Sequence, residues 1–171
     1  MNKKERKRRR WKIHFKRKYQ QEIWKTIEQQ RGVPAEKCCV YIAYLAERLS
    51  EGRLTVNSGV LVVDDQGPDA DPLGCAHCWN ELDGERIDLS PWGECRFPKR
   101  YLTQEDGDDY HFYLSQTAPF GDVPRECLDA DIDSLLLAMN EDVDVISPLQ
   151  IITTLAGDQN FLNQNSGQIT R

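Results

Sequence analysis

The chain has 171 residues, 39% of them hydrophobic, a mean hydropathy of −0.65 and a formal net charge of −6. That length can bury a real core within one domain, and no run approaches the roughly 20 apolar residues of a membrane-spanning helix. The basic N-terminus is not followed by an apolar stretch, so export is not expected. The six cysteines, two of them adjacent, then read as thiols of a cytoplasmic protein rather than as a disulfide framework.

The charge is split. Residues 1–20 hold 11 Lys or Arg against one Glu, a balance of +10, and the remainder holds 11 against 27, a balance of −16. Trp11, Ile13, Phe15 and Tyr19 interleave with the cations, a mixture suited to phosphate contact with stacking, or to an anionic membrane surface. Nucleic acid or another polyanion is therefore a candidate partner. The alternatives are an arm folded back on the acidic body and a solvated start to the helix that runs through Ile23, Trp24 and Ile27.

After the break at Gly32, Val33 and Pro34, a second helix is expected with Pro34 in its first turn and Gly52 just past its end. Cys38, Ile42, Leu45 and Leu49 recur at four, three and four residues, the spacing of a buried stripe. Cys39 shares the neighbouring line with Ala43 and Ala46, small residues that leave room beside its sulfur. With the helix starting at Pro34, Cys39 falls beyond the first turn and gains little from the helix dipole.

Residues 54–56 and 59–63 read as strand, and 64–72 as an acidic loop rich in Gly and Pro. The most informative stretch is 77–90, HCWNELDGERIDLS. Asp83-Gly84 tolerates the positive φ of a two-residue hairpin turn, which sets Leu82 against Glu85, Glu81 against Arg86, Asn80 against Ile87, Trp79 against Asp88 and Cys78 against Leu89. Alternation then places His77, Trp79, Asp88 and Ser90 on one face and turns Cys78 to the other. A carboxylate diagonal to an imidazole can fix its tautomer and stabilise its protonated form.

Beyond an irregular stretch at Pro91, Trp92 and Gly93, residues 110–115 read as a strand with His111 half-buried in it. Residues 129–139 and 148–156 read as helices, the second bounded by Ser147, Pro148 and Gly157, and 159–171 as a polar tail.

These residues resemble the papain-like cysteine superfamily in its transglutaminase-like branch. The likeness lies in a Cys on a helix with a small residue four positions on (Cys39, Ala43), then His-x-Trp (His77, Trp79), then a turn, a hydrophobic residue and Asp (Ile87, Asp88). It spans about 32–90. The chain departs from the family in having Cys78 for Ala, Leu89-Ser90 for Pro-Thr, and no Gly before the nucleophile.

The resemblance implies an α+β fold with a papain/transglutaminase-like core, its nucleophile helix packed on a small antiparallel sheet, a basic N-terminal helix and C-terminal helices. The corresponding divisions are a basic arm (1–20), a papain-like domain (21–125), a helical extension (126–157) and a polar tail (158–171). It also implies an amide hydrolase or acyltransferase acting on a peptide or amide without a cofactor. Cys39 would be the nucleophile, His77 the base and Asp88 its orienting acid, with Gln30 or Gln29 completing an oxyanion hole and Trp79 beneath the substrate. A rival chemistry is a zinc site begun by Cys75 and Cys78 and completed by Cys95, His111 or Cys127. Joined to the basic arm, it would make a non-catalytic nucleic-acid-binding module.

Overall fold

In the computed structural model, which describes residues 2–64, 72–117 and 125–141, the basic leader and the apolar segment after it form one helix, α1 (Lys3–Arg31). Asn2 and Glu5 cap it reciprocally: the Asn2 side chain accepts from the Glu5 N–H at 2.9 Å and the Glu5 carboxylate from the Asn2 N–H at 2.8 Å. Gly32 ends it with φ 66°. The boundary expected at residue 20 lies inside this helix. Phe15, Ile23 and Ile27 are buried in the core, with Trp11, Tyr19 and Trp24 packed beside them. The leader is thus docked along its aromatic side, and Arg8 and Lys12 reach Glu85 while Lys16 reaches Glu94.

The second helix, α2 (Cys39–Leu49), begins five residues later than expected. Pro34 is extended (φ −61°, ψ 144°), and residues 35–37 make a single 3-10 turn whose first N–H, that of Ala35, is held by the Glu28 carboxylate at 3.1 Å. The turn closes with Cys38 N–H on the Ala35 carbonyl, and only then does α-helix start. Cys38 lies in the main core with Ile42 and Leu45, as its spacing predicts. Cys39 becomes the first helical residue, inside the dipole's reach and not beyond it.

Four antiparallel strands, β1 (Thr55–Val63), β2 (Leu73–Leu82), β3 (Glu85–Ile87) and β4 (Lys99–Leu102), make a sheet of order β3-β2-β1-β4. The hairpin turn has φ 52° at Asp83 and 78° at Gly84. Asn80, Glu81 and Leu82 pair with Ile87, Arg86 and Glu85 in the expected register. Pairing stops at Ile87, so the expected partners of Trp79 and Cys78 leave the sheet. One sheet face carries Val56, Cys78 and Asn80 against α2, with the Asn80 amide donating to the Ala43 carbonyl at 2.9 Å. The other face carries His77, Trp79, Arg86 and Tyr101.

Residues expected as a strand at 110–115 instead form α4 (Asp108–Gln116). The aromatic run suited either period, and packing chose the helical one. Tyr110 and Tyr113, one turn apart, lie on Val60, Val62 and Leu102, and His111 and Phe112 are left exposed. After the short helix α3 (Pro91–Glu94) and α4, the last described helix, α5 (Arg125–Glu141), buries Leu128, Ile132 and Leu135 in the same core as α1 and α2. Its buried Asp131 pairs with Arg31 and accepts from the Tyr41 hydroxyl at 3.0 Å. The architecture is α+β, with five α-helices and four strands among the described residues. The helix expected at 148–156 and the tail lie outside them.

Gly59, opposite His77 on β1, is where Trp79 and β4 close on the sheet. A Cβ there would stand 2.2 Å from the Leu102 carbonyl oxygen and 2.8 Å from the Trp79 ring. Gly59→Ala is expected to lower the urea midpoint by the equivalent of about 1–3 kcal/mol or more and to shift the Trp79 fluorescence. An unchanged midpoint would mean this contact is slack.

Candidate active site

The site is built around a carboxylate that is almost sealed. Asp88, the first residue after β3, has a side chain 5% exposed, and a buried carboxylate is tolerated only where donors replace water. Three do. The Tyr101 hydroxyl donates to its Oδ2 at 2.7 Å, the Ser90 N–H to Oδ1 at 2.9 Å, and His77 Nε2 to Oδ2 at 2.8 Å. Burial opposes ionisation, but these bonds, that from His77 foremost, hold the acid below the usual carboxylate range.

Elements distant in the chain keep this carboxylate in place. The Leu89 carbonyl is gripped from α1 by Trp24 Nε1 at 2.7 Å and Gln20 Nε2 at 3.2 Å. On the far side the Lys99 ammonium binds the carbonyls of Trp92, Gly93 and Cys95 at 2.7, 2.8 and 3.0 Å, locking α3. Gly93 sits so close that a Cβ would fall 2.3 Å from the Asp88 carbonyl oxygen.

His77 is 1% exposed, its ring lying nearly parallel to Trp79 at 6.4 Å between centroids. With Nε2 turned to Asp88, Nδ1 is the nitrogen left for the thiol. Burial disfavours the charged ring, yet the bonds to Asp88 and Cys39 prevail and raise its pKa to about 9. Trp79, 1% exposed, is wedged among His77, Tyr101, whose ring centroid is 5.3 Å away, and the Arg86 guanidinium. So enclosed a ring supports the site from beneath and offers no surface to a substrate.

Cys39 reaches this ring from α2. Hydrogen bonds from the Cys78 thiol first, then from His77 and the Cys78 N–H, outweigh burial and hold its thiol far below the ordinary range. No side chain caps α2, so the first-turn N–H groups and the positive end of the dipole act at the same place. Cys78 does face away from His77 as alternation demands. Because β3 ends at Ile87, however, the β2 edge beside these residues is open, and a sulfur at that edge can meet the His77 ring, the Cys78 thiol and the backbone N–H between them. Donation to Cys39, together with burial, pushes the Cys78 thiol strongly up.

The structure therefore brings Cys39, His77 and Asp88 together. Gln29 is exposed in a groove made of α1 residues alone, beside Gln21, Trp24, Lys25 and Glu28, and Gln30 is half-buried in the last turn of α1. Among the described residues no three or more His, Cys, Asp or Glu are grouped to hold a metal. Cys75 and Cys78 point to opposite sides of β2, and Cys95 lies past α3. Cys75, half-buried, feels the negative charges of Cys39 and Asp88 after the larger effect of burial, all raising its thiol.

Sequence reasoning missed Tyr101, which stands on a four-residue strand too short to show alternation, and the donor role of Cys78. Compared with protein-family models, with curated proteins and with solved structures, the chain finds no match in any of the three.

The ion pair of Cys39 and His77 is populated between the lowered thiol pKa and about 9. Below the window the thiolate gains a proton, and above it the ring loses one. Ultraviolet thiolate absorbance should thus persist in mildly acidic buffer and vanish in Cys39→Ala. In Asp88→Asn the alkaline midpoint of the ring, followed by proton NMR, should fall from about 9 toward 6.5. A midpoint that stays put would remove Asp88 as the source of the shift.

Proposed function

We propose that the chain is a thiol-dependent amide hydrolase or acyltransferase of the papain-like superfamily, transglutaminase-like branch. One observation carries the reading: a single buried imidazole, held by a carboxylate at 2.8 Å on Nε2, also contacts a thiol on the first residue of a helix. The Cys39 thiolate attacks a carbonyl carbon, and the negative oxygen that develops is met by first-turn N–H groups of α2. His77, protonated in the resting pair, passes its proton to the leaving amine, leaving an acyl thioester on Cys39. It then takes a proton from the incoming water or amine, and Asp88 keeps the ring in place through both steps. Cys39 is 8% exposed and flanked by Val40 and Val56. The acyl group that reaches it must therefore be slim, or these side chains must part.

An activated ester, p-nitrophenyl acetate, tests the reading without knowledge of the natural substrate. The expected result is a burst of one nitrophenolate per chain with an acetyl group on Cys39, slowed on the order of 10²–10⁴-fold in His77→Ala and abolished in Cys39→Ala. A burst that survives Cys39→Ala defeats it.

A second reading, polyanion binding, is favoured by the outer side of α1. Lys3, Lys7, Arg10, His14 and Arg17 recur at four, three, four and three residues, making one exposed stripe on the order of 20 Å long. Among the described residues no acid pairs with Lys3, Lys7, Arg10 or Arg17. The aromatic residues Trp11, Phe15 and Tyr19 pack on the core instead of facing outward, so contact would be with phosphates alone, as on duplex nucleic acid. Replacing Lys3, Lys7, Arg10 and Arg17 by Gln should weaken duplex binding and flatten its salt slope by about 0.9 per lost phosphate contact. An unaltered slope would exclude the stripe. Deleting residues 1–20 is no substitute, because it removes Phe15 from the core.

A further inference from the structure

The mechanism gives Cys78 only a supporting hydrogen bond, yet its placement is unusual for a thiol. Cys39, Ala43 and Cys78 form a small buried cluster of their own, apart from the main core, so the two thiol side chains pack within one pocket of the fold. The two residues come from different elements, 39 positions apart. Cys39 is the first residue of a helix without a side-chain cap, and Cys78 lies on the stretch of β2 that β3 leaves uncovered. Closing to the ~2.05 Å of a disulfide would join two neighbours within that cluster. With exposures of 8% and 6% they are nearly shut off from bulky reagents, but a molecule the size of hydrogen peroxide needs little more room than water.

We propose that Cys39 and Cys78 are a peroxide-sensitive pair that forms a reversible disulfide across α2 and β2 and thereby blocks the nucleophile. In the first step the Cys39 thiolate attacks one peroxide oxygen. The O–O bond breaks, the departing hydroxide takes the His77 proton and leaves as water, and the sulfur becomes a sulfenic acid. In the second, the Cys78 sulfur attacks the Cys39 sulfur, the S–O bond breaks, and the hydroxide released leaves as water with the Cys78 proton. Two thiols and one peroxide give one disulfide and two waters; sulfur is oxidised and peroxide reduced. Cys78 serves as the resolving thiol that spares Cys39 from the irreversible sulfinic state. Two equivalents of an external thiol return both groups. The inference needs Cys39 to be a thiolate beside Cys78 and does not need the chain to act on amides.

The test uses the full chain and one equivalent of hydrogen peroxide. Expected is the loss of two of the six free thiols, with tandem mass spectrometry placing the bridge between Cys39 and Cys78 and dithiothreitol restoring both. In Cys78→Ala one equivalent should give no bridge and leave Cys39 as sulfenic acid, and a second equivalent should carry it to sulfinic acid that dithiothreitol does not reverse. A bridge from Cys39 to Cys75 or Cys38, or a wild-type Cys39 that goes straight to sulfinic acid, would overturn the proposal. Because the readout is mass and thiol count, it stands apart from the ester burst: an enzyme without the bridge and a bridge without an enzyme are distinguishable results.

Discussion

A carboxylate taken out of water has to be surrounded by donors, and at Asp88 that requirement ties together parts of the chain that share no local structure. Its oxygens accept from β2 through His77, from β4 through Tyr101 and from the Ser90 backbone beside it. The residue after it is held by α1 through Trp24 and Gln20. Removing the His77 partner would leave that buried charge poorly compensated, at a cost of several kcal/mol. The route of residues 88–95 therefore follows from Asp88's environment as much as from apolar packing. Asp131 plays the matching part among the helices, where Arg31 and Tyr41 join α5 to α1 and α2.

Given that arrangement, the lowered pKa of the Cys39 thiol follows from where β3 ends. A longer β3 would cover the β2 edge at His77 and Cys78 and leave no place for a sulfur. The departure of the chain at Asp88 opens the edge, and α2 presents the first residue of a helix to it. Dipole, imidazole, neighbouring thiol and backbone N–H then all favour the thiolate. Low exposure makes these effects larger by excluding water.

The basic leader illustrates how one composition can serve two purposes on opposite sides of a helix. Its aromatic residues complete the core, and its inner cations bind Glu85 and Glu94 at the hairpin and at α3. The outer stripe stays exposed to solvent. The helix that carries it also carries Gln20 and Trp24, which grip the Leu89 carbonyl, so the charged surface is joined through α1 to the segment that follows Asp88.

Much of this was legible in the residues themselves, wherever a local rule had no competitor. Asp83-Gly84 dictated the hairpin and its register, because few dipeptides accept the positive φ that a two-residue turn demands at both positions. Four-three-four spacing put Cys38 in the core, and the order of Cys39, His77 and Asp88 marked the cluster. Other features were decided only in three dimensions. Whether 110–115 became strand or helix depended on Val60, Val62 and Leu102 offering a surface for Tyr110 and Tyr113. The start of α2 at Cys39 depended on Glu28 reaching the Ala35 N–H from another helix. That Tyr101 would meet Asp88 and Cys78 would meet Cys39 has no signature along the chain, for these contacts arise from which strand lies beside which and from where one of them stops. Periodicity and turn chemistry are properties of neighbours in sequence. Hydrogen bonds that satisfy buried charge are properties of neighbours in space.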